Sequence, residues 1–222
     1  MRQLEPALRR GLQALGLTLT DAQIGQCLDY LALLAKWGKV YNLTALREPG
    51  EMLTHHLFDS LAVIAPLRRQ LQGMAARVLD VGSGAGLPGV VIAICCPELR
   101  VCCVDAVGKK AAFVQQAAVA LKLPQLQGRH ARVETLRDGD HDLICSRAFA
   151  SLKDFTSWSA AALAPNGVWL AMKGKHPTEE LSQLPSFVEV FHVEPLQVPD
   201  LEGERCLIWM RPVAAPEPQG NQ

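Results

Sequence analysis

The sequence predicts an α/β fold: a mostly parallel sheet that ends in an antiparallel hairpin, preceded by a helical extension. Three patterns carry this reading. Apolar residues at helical spacing fill the first 70 or so positions. From residue 76 onward, short continuous apolar runs alternate with helical segments. The last two apolar runs have no long helix between them. The boundaries that follow are a helical extension over 1–70, a sheet domain over 71–211 and a disordered tail over 212–222, which holds three prolines and no apolar pattern.

In the extension, Thr20-Asp21-Ala22-Gln23 is a capping box, with a hydroxyl N-cap and a glutamine three residues on. Ile24, Leu28, Leu31 and Ala35 continue it as a helix. After Pro49, the stripe Leu53, Leu57, Leu61 and Ile64 predicts another helix, closed by Pro66. Lys39-Val-Tyr-Asn-Leu-Thr44 connects the two. The strand-like runs are Val78–Val81, Val101–Val104, Leu143–Cys145 and Val168–Met172, with Lys109–Leu121 as a crossover helix. Their continuous hydrophobicity suits strands covered on both faces. Phe187–Val193 and Cys206–Met210 pair antiparallel through a loop at Pro199–Gly203.

Lysine plus arginine and aspartate plus glutamate both number 22, so the chain is no polybasic binder, and any nucleic-acid contact needs a local patch. The seven cysteines form no C-x-x-C and lie mostly in apolar runs, which predicts reduced core thiols in a cytoplasmic protein. No apolar run reaches the roughly 18 residues of a membrane span, and no signal peptide opens the chain.

The segment Arg77-Val-Leu-Asp-Val-Gly-Ser-Gly-Ala-Gly-Leu-Pro-Gly89 places a glycine-rich turn between a strand and a helix. Glycine tolerates positive φ and leaves the main chain bare for a ligand. Two frames are open. Gly84-Ala-Gly86-Leu-Pro-Gly89 matches the dinucleotide pattern, with Asp105 at ribose distance. Asp80-x-Gly82-x-Gly84-x-Gly86 resembles the first motif of class I S-adenosylmethionine methyltransferases. In that frame Asp80 suits the cofactor's ammonium, the loop amides its carboxylate and Asp105 both ribose hydroxyls. Both acids also read as helix caps. The terminal hairpin favours the methyltransferase frame, with a nicotinamide oxidoreductase or a small-molecule S-adenosylmethionine-dependent methyltransferase as alternatives.

Several stretches in order narrow the frame: Lys36-Trp-Gly-Lys-Val-Tyr-Asn-Leu-Thr44, His55-His-Leu-Phe-Asp-Ser60, Leu79 to Gly89, Gly108-Lys-Lys110, Ser146-Arg-Ala-Phe-Ala150 and Lys173-Gly174. Together they resemble the RsmG (GidB) family of bacterial ribosomal RNA methyltransferases. The resemblance implies a Rossmann-like domain with a seven-stranded sheet, S-adenosylmethionine as cofactor, and N7 methylation of one guanine of 16S rRNA in the small ribosomal subunit. Carried onto this chain, it implies cofactor contacts at Gly82, Leu87, Val133, Glu134 and Arg147, beside Gly84 and Asp105 from the loop and strand pattern. Ala106-Val-Gly108 after the second strand replaces an expected serine-containing form.

Guanine N7 is an exposed lone pair, so its attack on a sulfonium methyl needs no general base, and rate comes from alignment. Arg147 is therefore the candidate catalytic residue in a positioning role, near guanine O6 or the cofactor. Arg129, Arg132, Lys173 and Lys175 fall at or after strand ends, and Arg132 and Lys173 are the candidate RNA contacts. Tyr41, Phe149 and Trp158 are candidate stacking groups. His55 and Asp59 share one helix face and read as a polar pair, and no metal site is expected. A monomer is expected.

Overall fold

The computed structural model describes residues 1–41 and 43–213, and the side chains of all of these except 39–41. Tyr41 as a stacking group, Asn42 and the predicted tail from 214 lie outside the described residues. Seven strands form one sheet in the order β3-β2-β1-β4-β5-β7-β6. They are β1 (Arg77–Val81), β2 (Arg100–Asp105), β3 (Leu126–His130), β4 (His141–Arg147), β5 (Leu163–Lys173), β6 (Val188–Pro195) and β7 (Cys206–Pro212). The first five are parallel, and β7 runs antiparallel to both β5 and β6. β7 thus extends one residue into the segment read as tail.

Successive strand residues feed opposite layers. Val78, Val101, Leu143, Leu170 and Trp209 join one apolar cluster, while Leu79, Val104, Ile144, Trp169 and Ile208 join the other. Both faces are therefore covered, which is why these strands read as continuous apolar runs. The first layer is built by α1 (Glu5–Ala14), α2 (Asp21–Tyr41), α5 (Ile64–Leu71), α6 (Gly89–Cys95) and α7 (Gly108–Ala120). The second uses α8 (Leu152–Ser159) and a 3-10 turn at Val133–Thr135.

The helical extension shares its core with the sheet. Its polar side chains reach across to the ends of other helices. Gln23 Nε2 donates to the Ile94 carbonyl at 2.8 Å, and Arg68 Nη2 to the Cys95 carbonyl at 2.7 Å, closing the C-terminus of α6. Gln26 Nε2 donates to the Leu121 carbonyl at 2.8 Å, past the end of α7. These satisfy carbonyls that a helix end leaves without partners. The capping box forms reciprocally: Gln23 N donates to Thr20 Oγ1 at 3.2 Å and Thr20 N to Gln23 Oε1 at 3.0 Å.

Two local expectations change. The helix after Pro49 is interrupted: α3 (Pro49–Met52) passes through a π-helical turn (Leu53–Phe58) into α4 (Asp59–Leu61). Pro66 does not close this stretch but stands in the first turn of α5, where its missing N–H removes no helical bond. The π turn, with its wider repeat, carries Asp59 into the interior, where it is buried beside Ser60. No helix among the described residues is long and apolar enough to cross a membrane.

Gly128 in β3 shows how closely α7 lies on the sheet. A Cβ there would collide with the Ala111 carbonyl oxygen and stand 3.0 Å from the Gln115 nitrogen. Gly128→Ala is expected to lower unfolding free energy by about 1–3 kcal/mol in denaturant titrations. A midpoint equal to wild type would refute this packing.

Candidate active site

The loop after β1 sorts its glycines by job. Gly82, Gly84 and Gly86 all have positive φ, at 64°, 59° and 83°. Gly82 is exposed and Gly84 half-buried, whereas Gly86 and Gly89 are buried. A Cβ on Gly86 would meet the Val90 and Val114 methyls, and one on Gly89 would meet Cys103 and Asp80. These two glycines serve packing. At Gly84 the nearest atom to an added Cβ is the Gly82 carbonyl oxygen at 4.0 Å, so that side of the main chain is open. At Gly82 the Phe149 ring lies 2.7 Å from the added carbon, so this ring lines the loop.

The expected grip of loop amides on a carboxylate does not hold for most of them. Gly82 N and Ser83 N donate to the Val104 carbonyl, Gly86 N and Leu87 N to the Ser83 carbonyl, and Gly84 N to Asp105 Oδ2 at 3.0 Å. The turn is compact enough to consume its own donors. Leu87, expected to touch a cofactor, is buried as a whole residue, and its N–H is spent on the Ser83 carbonyl. Behind the loop, the Tyr30 hydroxyl donates to the Ala85 carbonyl at 2.8 Å.

The two acids divide as well. Asp80 is fully buried, and its Oδ2 accepts from Gly89 N at 2.8 Å at the start of α6. Its Oδ1 has no partner among the described residues. Burial pushes its pKa up to about 7, opposed by the Gly89 hydrogen bond and by Arg147. Asp80 is thus the cap of α6 rather than a surface acceptor for an ammonium group. Asp105 ends β2 beside the loop, with Oδ2 on Gly84 N and Oδ1 on Val107 N at 2.8 Å. Each of its oxygens accepts one protein hydrogen bond, leaving lone-pair capacity for hydroxyl donors.

Arg147 emerges at the same edge. The register Asp80↔Cys145 sets Ser146 beside Val81, whose carbonyl accepts from Ser146 Oγ at 2.9 Å. Arg147 Nη1 donates to the His55 carbonyl at 2.9 Å and to Asp59 Oδ2 at 3.0 Å. Arg205 Nε donates to the other oxygen, Asp59 Oδ1, at 3.0 Å. The predicted His55–Asp59 pair does not form, because Asp59 turns inward to these two arginines. Arg205 escaped sequence reading, having neither periodic spacing nor a motif around it. Nearby, Thr44 Oγ1 and His56 Nε2 lie 2.7 Å apart, and burial, then Arg147, lowers the His56 pKa to about 4. That imidazole is neutral at physiological pH and ties the Leu43-Thr44 segment to the site.

The other predicted residues surround this centre. Val133 is buried in the turn after β3 and Glu134 is exposed next to it. Arg132 is exposed, with Glu134 Oε1 at 3.6 Å. Arg129 is engaged by Asp138 at 2.5 Å. Lys173 is committed to Glu180, at 2.8 and 3.0 Å, and Glu180 also accepts from Leu152 N at 2.8 Å. Lys173 and Glu180 thereby hold the loop that carries Phe149. Phe149 packs edge-on against Trp158, with centroids 5.8 Å apart, and Trp158 is exposed. A hollow of about 610 Å³ opens at the other end of the sheet, between Arg77, Arg100, Pro124 and His141, remote from the loop. No group of three metal-ligating side chains occurs among the described residues.

Strand order, hairpin and glycine loop define the class: a Rossmann-like methyltransferase fold. Solved structures agree on the fold. TrmN from Thermus thermophilus superposes with TM-score 0.55 at 20% identity, over 68% of this chain and 48% of that one. A SAM dependent methyltransferase from Aquifex aeolicus gives 0.52 at 16% identity, over 70% and 93%. The particular family follows from sequence. The family described as GidB, rRNA small subunit methyltransferase G, matches residues 23–208, and the chain belongs to it. Proteins named ribosomal RNA small subunit methyltransferase G are 67% identical over 95% of both chains in Polaromonas sp. (strain JS666) and 65% identical over 95% and 96% in Acidovorax ebreus.

The fully buried carboxyl of Asp80, with no cation paired to it among the described residues, gives the site a pH signature. Folding raises the Asp80 pKa from 3.8 to about 7, so the folded chain holds a proton that the unfolded chain releases. Its stabilising contribution is full below about pH 4 and fades as pH rises toward 7. Asp80→Asn keeps an acceptor for Gly89. Its melting temperature is expected to climb relative to wild type between about pH 5 and pH 7. A pH-independent difference would contradict the assigned burial cost.

Proposed function

We infer that this chain transfers the methyl group of S-adenosylmethionine to N7 of a guanine in 16S rRNA of the small ribosomal subunit. The carrying observation is one shared edge. The open glycine loop follows β1, Asp105 ends β2 and Arg147 ends β4, all at the carboxyl ends of parallel strands.

The residues present fit the cofactor. Gly84 offers bare main chain, exposed Gly82 stands beside it under the Phe149 ring, Asp105 suits ribose hydroxyls, and the main chain at Val133 and Glu134 suits an adenine edge. Leu87 supports the loop from the core. When bound, S-adenosylmethionine supplies an electrophilic methyl on a sulfonium. The chain's task is alignment, because N7 attacks without losing a proton.

Arg147 is the positioning cation. Two of its five N–H donors are spent through Nη1 on Asp59 and His55. The remaining fork suits guanine O6 or the cofactor. Its charge is held off N7 by this anchoring, which matters because N7 becomes cationic as it is methylated. Phe149 and Trp158 offer ring faces and edges to an extruded base. Exposed Arg132 is placed for backbone phosphates, and Lys173 reaches them by releasing Glu180. The enzyme works as a monomer in the cytoplasm, without metal.

Incubation with labelled S-adenosylmethionine and either deproteinised 16S rRNA or small subunits tests the reading. Digestion is expected to yield labelled 7-methylguanosine. Label on another base, or on neither RNA, ends it. Arg147→Lys is expected to lower kcat by about 10²-fold, since a point charge cannot reproduce the anchored fork. An unchanged kcat would remove Arg147 from the mechanism.

A further inference from the structure

We propose that Tyr30, in the helical extension, is a positioning residue for cofactor binding: its hydroxyl holds the glycine loop from behind through the Ala85 carbonyl. The inference rests on the loop being the cofactor site, as proposed above, and adds a control point remote from it in sequence.

Tyr30 is fully buried in the apolar stripe of α2, and its hydroxyl donates to the Ala85 carbonyl at 2.8 Å, 55 residues away in sequence. A buried tyrosine hydroxyl needs a partner, and this one finds it inside the turn. Ala85 stands between Gly84 and Gly86, both at positive φ. Two glycines flanking one residue make that turn soft, since neither restricts its own backbone. Its other hydrogen bonds include Gly84 N on Asp105, Gly86 N and Leu87 N on the Ser83 carbonyl, and Val90 N on the Gly86 carbonyl at 2.7 Å. Asp105 holds the front of the loop and Tyr30 the back.

The anchor is itself fixed. Gln23 and Gln26 latch α2 to the carbonyls of Ile94 and Leu121. The Tyr30 and Phe113 rings pack with centroids 6.4 Å apart, and Val114 on the same helix fills the space behind Gly86. Helix α2 therefore sets where Ala85 sits relative to β2 and α7. Removing the hydroxyl leaves the carbonyl buried without its donor and lets the turn occupy other conformations. Apparent affinity then falls by the fraction of time the loop is competent.

Tyr30→Phe is expected to weaken S-adenosylhomocysteine binding by about 3- to 10-fold in calorimetry, from the loss of one net hydrogen bond. The KM for S-adenosylmethionine should rise by the same factor, with kcat at saturating cofactor unchanged. Amide exchange at Gly86 and Leu87 should accelerate. Gln26→Ala cuts another latch of α2 away from the loop, and is expected to lower melting temperature while leaving affinity and these amides as in wild type. Equal affinity loss in both variants, or wild-type affinity in Tyr30→Phe, overturns the assignment. Should the phenylalanine variant not fold, native-state exchange of the wild-type protein decides. Gly86 and Leu87 should open with the same denaturant dependence as central amides of α2, and independent opening overturns it. These readouts use no RNA. Failure of the wild-type chain to bind S-adenosylhomocysteine would instead strike the cofactor reading.

Discussion

A parallel sheet buried on both faces leaves its polar chemistry only the ends of its strands. That constraint orders the whole molecule. Strand residues alternate between two apolar layers, and the few polar groups within the strands are spent on the protein itself: Asp80 is sealed beneath α6 and Ser146 donates to the Val81 carbonyl. Exposed polar chemistry is pushed to the carboxyl rim, where the loop after β1, Asp105 and Arg147 collect.

Two buried carboxylates show how differently the chain treats charge. Asp59 is held by Arg147 and Arg205, one on each oxygen at 3.0 Å, so its charge is compensated in a fixed direction. An isolated buried carboxylate would shed its charge by taking a proton, and Asp80 moves toward that limit, with its pKa near 7. The first arrangement orients a cation at the site. The second caps a helix from beneath the glycine loop.

The local patterns were readable from sequence. The capping box, the crossover helix and the strands rest on neighbours within a few residues, so periodicity and side-chain type were enough. The glycine loop was readable as a tight strand-to-helix turn, and Asp105 as the acid that ends the neighbouring strand. Which donors the loop keeps for itself was not, because Gly84 N meets Asp105 and Gly82 N meets Val104 only after β1 and β2 pair. Pro66 misled because a proline suits the start of a helix as well as its end. The partner of Arg147 was hidden in a π turn whose wider repeat moved Asp59 off the polar face. Tyr30 left a faint trace, as a hydroxyl within an apolar stripe.

The span closed by Asp59 has a consequence for how the enzyme comes into being. Arg205 lies 146 residues beyond Asp59, just before the last strand, and that strand slots between β5 and β6. A growing chain can lay down the glycine loop early, yet Asp59 lacks its second arginine until residue 205 has been made. A contact of that sequence separation forms late because its loop closure must be met by the rest of the fold first. A fragment ending before residue 205 would keep the Arg147–Asp59 contact but leave Asp59 Oδ1 without its arginine, a buried carboxylate with half of its compensation missing. Closing the distant edge of the sheet thus finishes the burial of a charge that lies early in the chain.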